Sequence, residues 1–171
     1  MLGRSKPGVE AQQRINEIRS LGCAIEFIQA DITDRDLVNR VISEIRQAYG
    51  GLNGIIHSAG MTKDNFIVRK TTDEFDTVLA PKVTGLINLD EASCNEPLDY
   101  FVCFSSVTGA LGNVGQADYA VANGFMDGFA EYRNRLVDQG SRKEKQFQLI
   151  GHCGDRVGCK SMFRHSPSSR V

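Results

Sequence analysis

The chain has 171 residues, with 20 lysines and arginines against 21 aspartates and glutamates, for a net charge of −1. That length allows one buried core, and the charge balance gives no electrostatic case for nucleic acid or an anionic membrane. No apolar run approaches the ~20 residues of a membrane span, the N-terminus lacks a signal-peptide pattern, and the five cysteines include no CxxC pair, so a reducing, cytoplasmic setting is expected.

Taken in chain order, Met1–Ser5 reads as the end of a strand and the loop after it. Val9–Leu21 is predicted to be a helix with an apolar stripe of Ile15, Ile18 and Leu21, stopped by Gly22. Ala24–Ala30 alternates like a strand and ends at Asp31. Thr33 or Asp34 would cap a helix over Arg35–Tyr49, whose face is Leu37, Val38, Val41, Ile42 and Ile45 and whose end is Gly50-Gly51. Leu52–His57 is a short strand followed by Ser58-Ala59-Gly60, small residues that let backbone approach a ligand. Thr71 or Thr72 opens a helix toward Asn88, with a bend or restart at Pro81. Leu98–Phe104 is the next strand, and Ala117 to about Val137 the next helix. Strands alternating with helices predict an α/β fold with a parallel sheet and right-handed crossovers. Cys23 and Cys103, in or beside apolar runs, read as buried thiols. His152, Cys153, Cys159 and His165 match no common zinc spacing, so no metal site is expected.

The chemistry concentrates in 101–127. An apolar strand there delivers Ser105 and Ser106 to a glycine-rich loop, and Tyr119 opens the following helix with Val121, Ala122, Phe125, Met126 and Phe129. Ligands of such sheets bind beyond the carboxyl ends of the strands. Hydride addition to a ketone builds negative charge on oxygen; a phenol can donate a proton there and a neighbouring hydroxyl can hold the same atom. Ser106 and Tyr119 are candidates for these roles, with a cation needed nearby because a free tyrosine titrates near pH ~10. Spacing alone leaves a plainer alternative open, in which Ser105 and Ser106 cap a loop and Tyr119 is a half-buried core residue.

Five words, GRS (3–5), ADITD (30–34), HSAG (57–60), PKVTGLINL (81–89) and FSSVTGALGNVGQADYAVANGFMD (104–127), stand in an order and spacing that resemble the short-chain dehydrogenase/reductases, and more closely the ketoreductase domains of modular polyketide synthases. The resemblance covers about residues 2–142 and implies a partial Rossmann-type parallel sheet with helices on both faces. It implies NADPH as cofactor, with Arg4 at the 2′-phosphate beside Ser5, Asp31 and Ile32 by the adenine ring, and Ser58, Ala59 and Gly60 along the nicotinamide-side ribose. It implies Tyr119 as proton donor, Ser106 as holder of the carbonyl oxygen, Lys82 as support for the tyrosine's acidity, and Asn123 as a positioner of Lys82 or of a water. Lysine at 82 with asparagine at 123 is the polyketide arrangement and argues against a free-standing reductase, where the lysine follows the tyrosine by four. The implied substrate is a β-ketoacyl thioester on an acyl carrier protein, with other synthase domains as partners. Asp64 keeps the last residue of a Leu-Asp-Asp word that goes with D alcohols in the family, and Gln116 stands near where the other class often has tryptophan. Asp64 as a capping or surface acid before Asn65-Phe66 is the alternative.

The resemblance breaks at both ends. No strand and glycine-rich phosphate turn precede the GRS word, so a non-catalytic fragment of such a domain is the rival expectation. After Arg142 the text changes character. Codons for 143–154 read one frame over permit Arg-Lys-Thr-Ile-Ser-Ile-Asn-Trp-Pro-Leu-Trp, the family's next strand and loop. The expectation is a base lost near Lys143, leaving 1–142 as a partial ketoreductase domain and 143–171 as an aberrant or disordered tail.

Overall fold

A computed structural model describes residues 1–141 and 147–150. β1 (Leu2–Gly3) pairs in parallel with β2 (Ile28–Gln29), across α1 (Val9–Ser20). The alternation over 24–30 predicts seven strand residues, but the ladder takes two. Its partner presents only two, and a ladder extends no further than the strand it pairs with; Ile28 N–H to Met1 O (2.9 Å) and Ala30 N–H to Gly3 O (3.0 Å) close it. Cys23 is exposed rather than buried, because it stands just after the Gly22 turn (φ +84°) and ahead of the strand. In α1 only Ile15 of the expected stripe is buried, while Ile18 and Leu21 are exposed.

α2 (Arg35–Tyr49) keeps its predicted bounds. The Asp34 side chain accepts the Leu37 N–H at 2.9 Å, and Gly50 leaves the helix in the left-handed region at φ +81°. β3 (Gly54–His57) and β4 (Tyr100–Phe104) pair in parallel with Ile55 opposite Phe101. β5 (Phe147–Ile150) adds to the other edge of β4, with Phe101 opposite Phe147, giving the order β3-β4-β5. These four residues fall in the stretch from 143 that the sequence reading assigns to an aberrant tail; here they form a strand of the sheet. The rest of that tail lies outside the described residues.

Between β3 and β4 run α3 (Thr72–Lys82) and α4 (Thr84–Ala92). Thr71 and Glu74 form a reciprocal capping box at the start of α3. Pro81, with no N–H to give the preceding turn, sits one residue before the end of α3, and Val83 (φ −100°, ψ −71°) separates the two helices. After β4 come α5 (Thr108–Leu111) and α6 (Ala117–Asp138). The core joins Val38 and Ile42 of α2, Ile55 of β3, Leu86 and Leu89 of α4, Phe101 and Cys103 of β4, and Met126 and Ala130 of α6. Within it, Arg133 of α6 is ion-paired to Asp90 of α4. Val121, expected on the apolar face of α6, is half exposed. No helix of the described residues is long and apolar enough to cross a membrane.

Candidate active site

The carboxyl ends of β1, β2 and β3 open onto a cavity of about 490 Å³. Arg4, Asp31, Ile32, Ser58, Ala59 and Gly60 line it, together with Met61, Thr77, Ala80 and Pro81, which sequence reasoning did not place at the site. Ser5 is exposed and does not line it. The Asp31 carboxylate accepts the Thr33 N–H (2.9 Å) and the Thr33 hydroxyl (2.8 Å). Those two bonds hold the carboxyl below the usual aspartate range against the opposing effect of burial, with the Arg4 charge a lesser help. Asp31 is therefore both a turn-former and a cavity wall.

A second cavity, about 430 Å³, shares Ser58, Gly60 and Met61 with the first and adds Lys82, Phe104, Ser105 and Tyr119. The two make one cleft running from Arg4 to Tyr119. Lys82, the last residue of α3, is 4% exposed. Its ammonium donates to the Phe104 carbonyl at 2.9 Å, lies 3.5 Å from the Met126 sulfur, and stands 5.5 Å from the Tyr119 ring centroid. Burial lowers its pKa below that of a free lysine. A Cβ at Gly60 would come within 2.9 Å of Lys82 Cε, so residue 60 must be small for the lysine to lie where it does.

Tyr119 sits in the first turn of α6, its N–H donating to Asp118 Oδ1 at 2.9 Å. Asn123, one turn on, donates from its amide to the Tyr119 carbonyl at 2.7 Å, and its buried Oδ1 has no hydrogen-bond partner. It meets the tyrosine's backbone rather than Lys82. Ser106 turns aside from the cleft: its hydroxyl lies 3.1 Å from Thr108 Oγ1 and accepts the Thr108 N–H at 3.2 Å. Ser105 lines the cleft instead and donates to Asp127 at 2.6 Å. The short helix α5, directly after the serine loop, is pressed against α6 at Gly109, where a Cβ would stand 2.9 Å from the Gly124 nitrogen and 3.0 Å from the Asn123 carbonyl carbon. Gln116 donates to both carboxylate oxygens of Asp64, at 3.0 and 3.1 Å, joining two residues 52 apart in sequence, and neither residue lines either cavity.

Sequence reasoning missed two side-chain pairs beside the tyrosine, Ser105 with Asp127 and Lys70 with Asp118. Both are long-range, and neither residue type carries a local motif; the place of Asp118 and Asp127 within the 104–127 word was the one available signal. His57, at the end of β3, is also buried, and its Nε2 has no partner. Burial and the nearby Lys82 charge push its pKa down to about 4, against a hydrogen bond with the Pro81 backbone that works the other way. Its folded value is depressed, so the unfolded chain takes up this proton first as pH falls through about 6.5, and stability declines from there toward pH 4. Taking the protein from about pH 7.5 to about pH 4.5 should cost roughly 2–3 kcal/mol through this group. Urea melts at the two values check it, and His57→Gln should flatten the difference. Among the described residues no group of three or more His, Cys, Asp or Glu could hold a metal; His152, Cys153, Cys159 and His165 lie outside them.

Parallel strands joined through helices, with a cleft at their carboxyl ends, define an α/β unit of Rossmann type. The model of the KR domain family matches residues 1–141. The chain is 50% identical over 149 residues to polyketide synthase PksL of Bacillus subtilis (strain 168), which covers 87% of this chain and 3% of that protein. It is 47% identical over 137 residues to polyketide synthase PksN of the same organism, covering 80% and 2%. Among solved structures it matches a ketoreductase domain from the bacillaene assembly line with a TM-score of 0.80 at 45% identity, covering 93% of this chain and 39% of that one. A ketoreductase from the macrolactin assembly line matches at 0.78 and 44%, covering 86% and 30%. The chain belongs to the KR domain family, as part of the ketoreductase domain of a polyketide synthase. It spans well under half of each solved domain and a few per cent of each curated relative.

Proposed function

We propose that this chain supplies the reducing centre for NADPH-dependent conversion of a β-ketoacyl thioester, carried on an acyl carrier protein, to the β-hydroxyacyl thioester in the cytoplasm. The observation that carries the proposal is Lys82 Nζ beside the Tyr119 ring, 5.5 Å from its centroid, at the inner end of the cleft. The residues lining the cleft suit the cofactor. Arg4 offers a planar fork for the 2′-phosphate at one end, and Ser58, Ala59 and Gly60 keep the floor low between there and the tyrosine. When bound, NADPH supplies the hydride.

Everything else falls to the chain. The Tyr119 hydroxyl passes its proton to the ketone oxygen as negative charge builds there. The buried Lys82 ammonium stabilises the phenolate that this leaves, and its lowered pKa suits it to hand a proton back. Ser106 must turn from Thr108 to hold the same oxygen, a hydroxyl rotation within a loop already fixed against α6. Asn123 holds the backbone of the tyrosine, with its free amide oxygen left to order a water.

We assign to the hydrogen-bonded Asp64–Gln116 pair the rim through which the acyl arm would enter, and with it the choice of ketone face. The test is reduction of a β-ketoacyl thioester by a complete ketoreductase built on this sequence. NADPH consumption and chiral chromatography should show a D β-hydroxy product at about 100:1, which needs about 2.7 kcal/mol between the two transition states. A mainly L product overturns the rim assignment; no turnover overturns the function.

The rival is a non-catalytic fragment. The observation favouring it for the chain by itself is the division of the described strands into two separate sheets, β1-β2 and β3-β4-β5.

A further inference from the structure

We propose that Lys70 is a positioning residue for the Tyr119–Lys82 pair, acting through Asp118. The proposal rests on the reading of Tyr119 as proton donor. Lys70 Nζ lies 2.6 Å from Asp118 Oδ2, and the two side chains are 2% and 1% exposed. The same ammonium donates to the Lys63 carbonyl, one residue before Asp64. Asp118 divides its two oxygens: Oδ2 takes Lys70, and Oδ1 takes the N–H of Tyr119 itself. A displacement of Lys70 therefore reaches the tyrosine backbone through a single carboxylate.

The placement of the two lysines gives this contact its meaning. Lys70 stands immediately before Thr71, the cap of α3, and Lys82 is the last residue of that helix. One end of α3 is thus pinned to the start of α6 by a buried ion pair, and the other end lays its ammonium beside the tyrosine ring. Two anchor points, one just ahead of the helix cap and one at the helix's last residue, fix where α3 lies along its neighbour, and so fix the lysine–tyrosine distance. A desolvated ion pair suits this task because its geometry is narrow and its charges tolerate few other partners. The Lys63 contact extends the same clamp to the loop that carries Asp64. Apolar packing alone would hold α3 against α6 but would set its register less sharply.

The test uses a complete ketoreductase built on this sequence. Lys70→Met is the direct change, but it strands Asp118 as a buried charge. The double variant Lys70→Met with Asp118→Asn removes both charges and leaves an oxygen for the Tyr119 N–H. In that variant kcat should fall ~10- to 100-fold, the scale of a misplaced reacting group, while KM for the thioester and Kd for NADPH stay within about two-fold. The enantiomer ratio of the alcohol should fall as well. Made in a Tyr119→Phe background, the same two changes should add almost nothing, because they act through the tyrosine. A folded double variant with unchanged kcat and product ratio overturns the proposal, as does a rise in KM at constant kcat. Failure of the proton-donor reading is separately visible: Tyr119→Phe would then keep its rate whatever stands at 70.

Discussion

Changing Tyr119 to phenylalanine in a complete ketoreductase built on this sequence lowers the rate of ketone reduction ~10²- to 10⁴-fold and leaves NADPH affinity within about two-fold. The substitution removes one oxygen and its proton. The ring that Lys82 faces at 5.5 Å is kept, so the lysine retains its aromatic neighbour and its bond to the Phe104 carbonyl. The backbone bonds from Asp118 and Asn123 do not involve the hydroxyl and also persist. What is lost is the donor to the developing oxyanion, so the deficit belongs in kcat. Steady-state kinetics with a β-ketoacyl thioester, alongside calorimetry with NADPH, separate the two quantities. A variant that keeps more than about half of the activity removes Tyr119 from the reaction.

The second large effect concerns the cofactor. The chain of 171 residues by itself should bind NADPH with a Kd in the millimolar range or weaker. Among the described residues, the cleft from Arg4 to Tyr119 is walled by strand ends, loops, the later part of α3 and, at the Tyr119 end, the first turn of α6; no residue from the first turn of a helix lines the Arg4 end. A pyrophosphate held at a helix N-terminus in a dinucleotide fold receives several backbone N–H bonds. Three such bonds to a charged group, at about 1.5–3 kcal/mol each, amount to roughly 4–9 kcal/mol, enough to carry a micromolar site to millimolar. Calorimetry on the purified chain decides it, and a micromolar constant would show that Arg4, Asp31 and the Ser58–Gly60 floor suffice.

Legibility in the sequence followed the range of the forces involved. α2 was readable to the residue because its signals are local: a capping aspartate, one apolar face and a glycine able to take φ +81°. The break at Val83 was readable near Pro81 for the same reason. β2 shrank from seven residues to two because strand length is decided by the partner, and nothing in 24–30 records how short β1 is. β5 is the converse. Pairing in a parallel ladder is made by backbone groups, and Phe147-Gln148-Leu149-Ile150 has apolar residues enough to take the edge of β4 although the surrounding text departs from the family. Within the site, the resemblance brought Lys82 and Tyr119 to one cleft from 37 positions apart. It did not indicate that Ser106 bonds Thr108, that Asn123 takes the tyrosine carbonyl, or that Lys70 meets Asp118. Those depend on rotamers and on contacts between distant segments, for which the chain carries no periodicity to read.

Gly109 carries a consequence for anyone wishing to alter the catalytic loop. At that position α5, the helix that directly follows the turn bearing Ser105 and Ser106, rests on the main chain of α6. Hydrogen in place of a methyl group makes residue 109 a gauge that sets the clearance between the two hydroxyl-bearing segments. Adding one carbon would act as a shim: neither the Gly124 nitrogen nor the Asn123 carbonyl carbon can swing away as a flexible side chain would, so the loop itself would have to lift. The spacing of serine and tyrosine is thus adjustable by a single atom placed outside the cleft, without touching either hydroxyl.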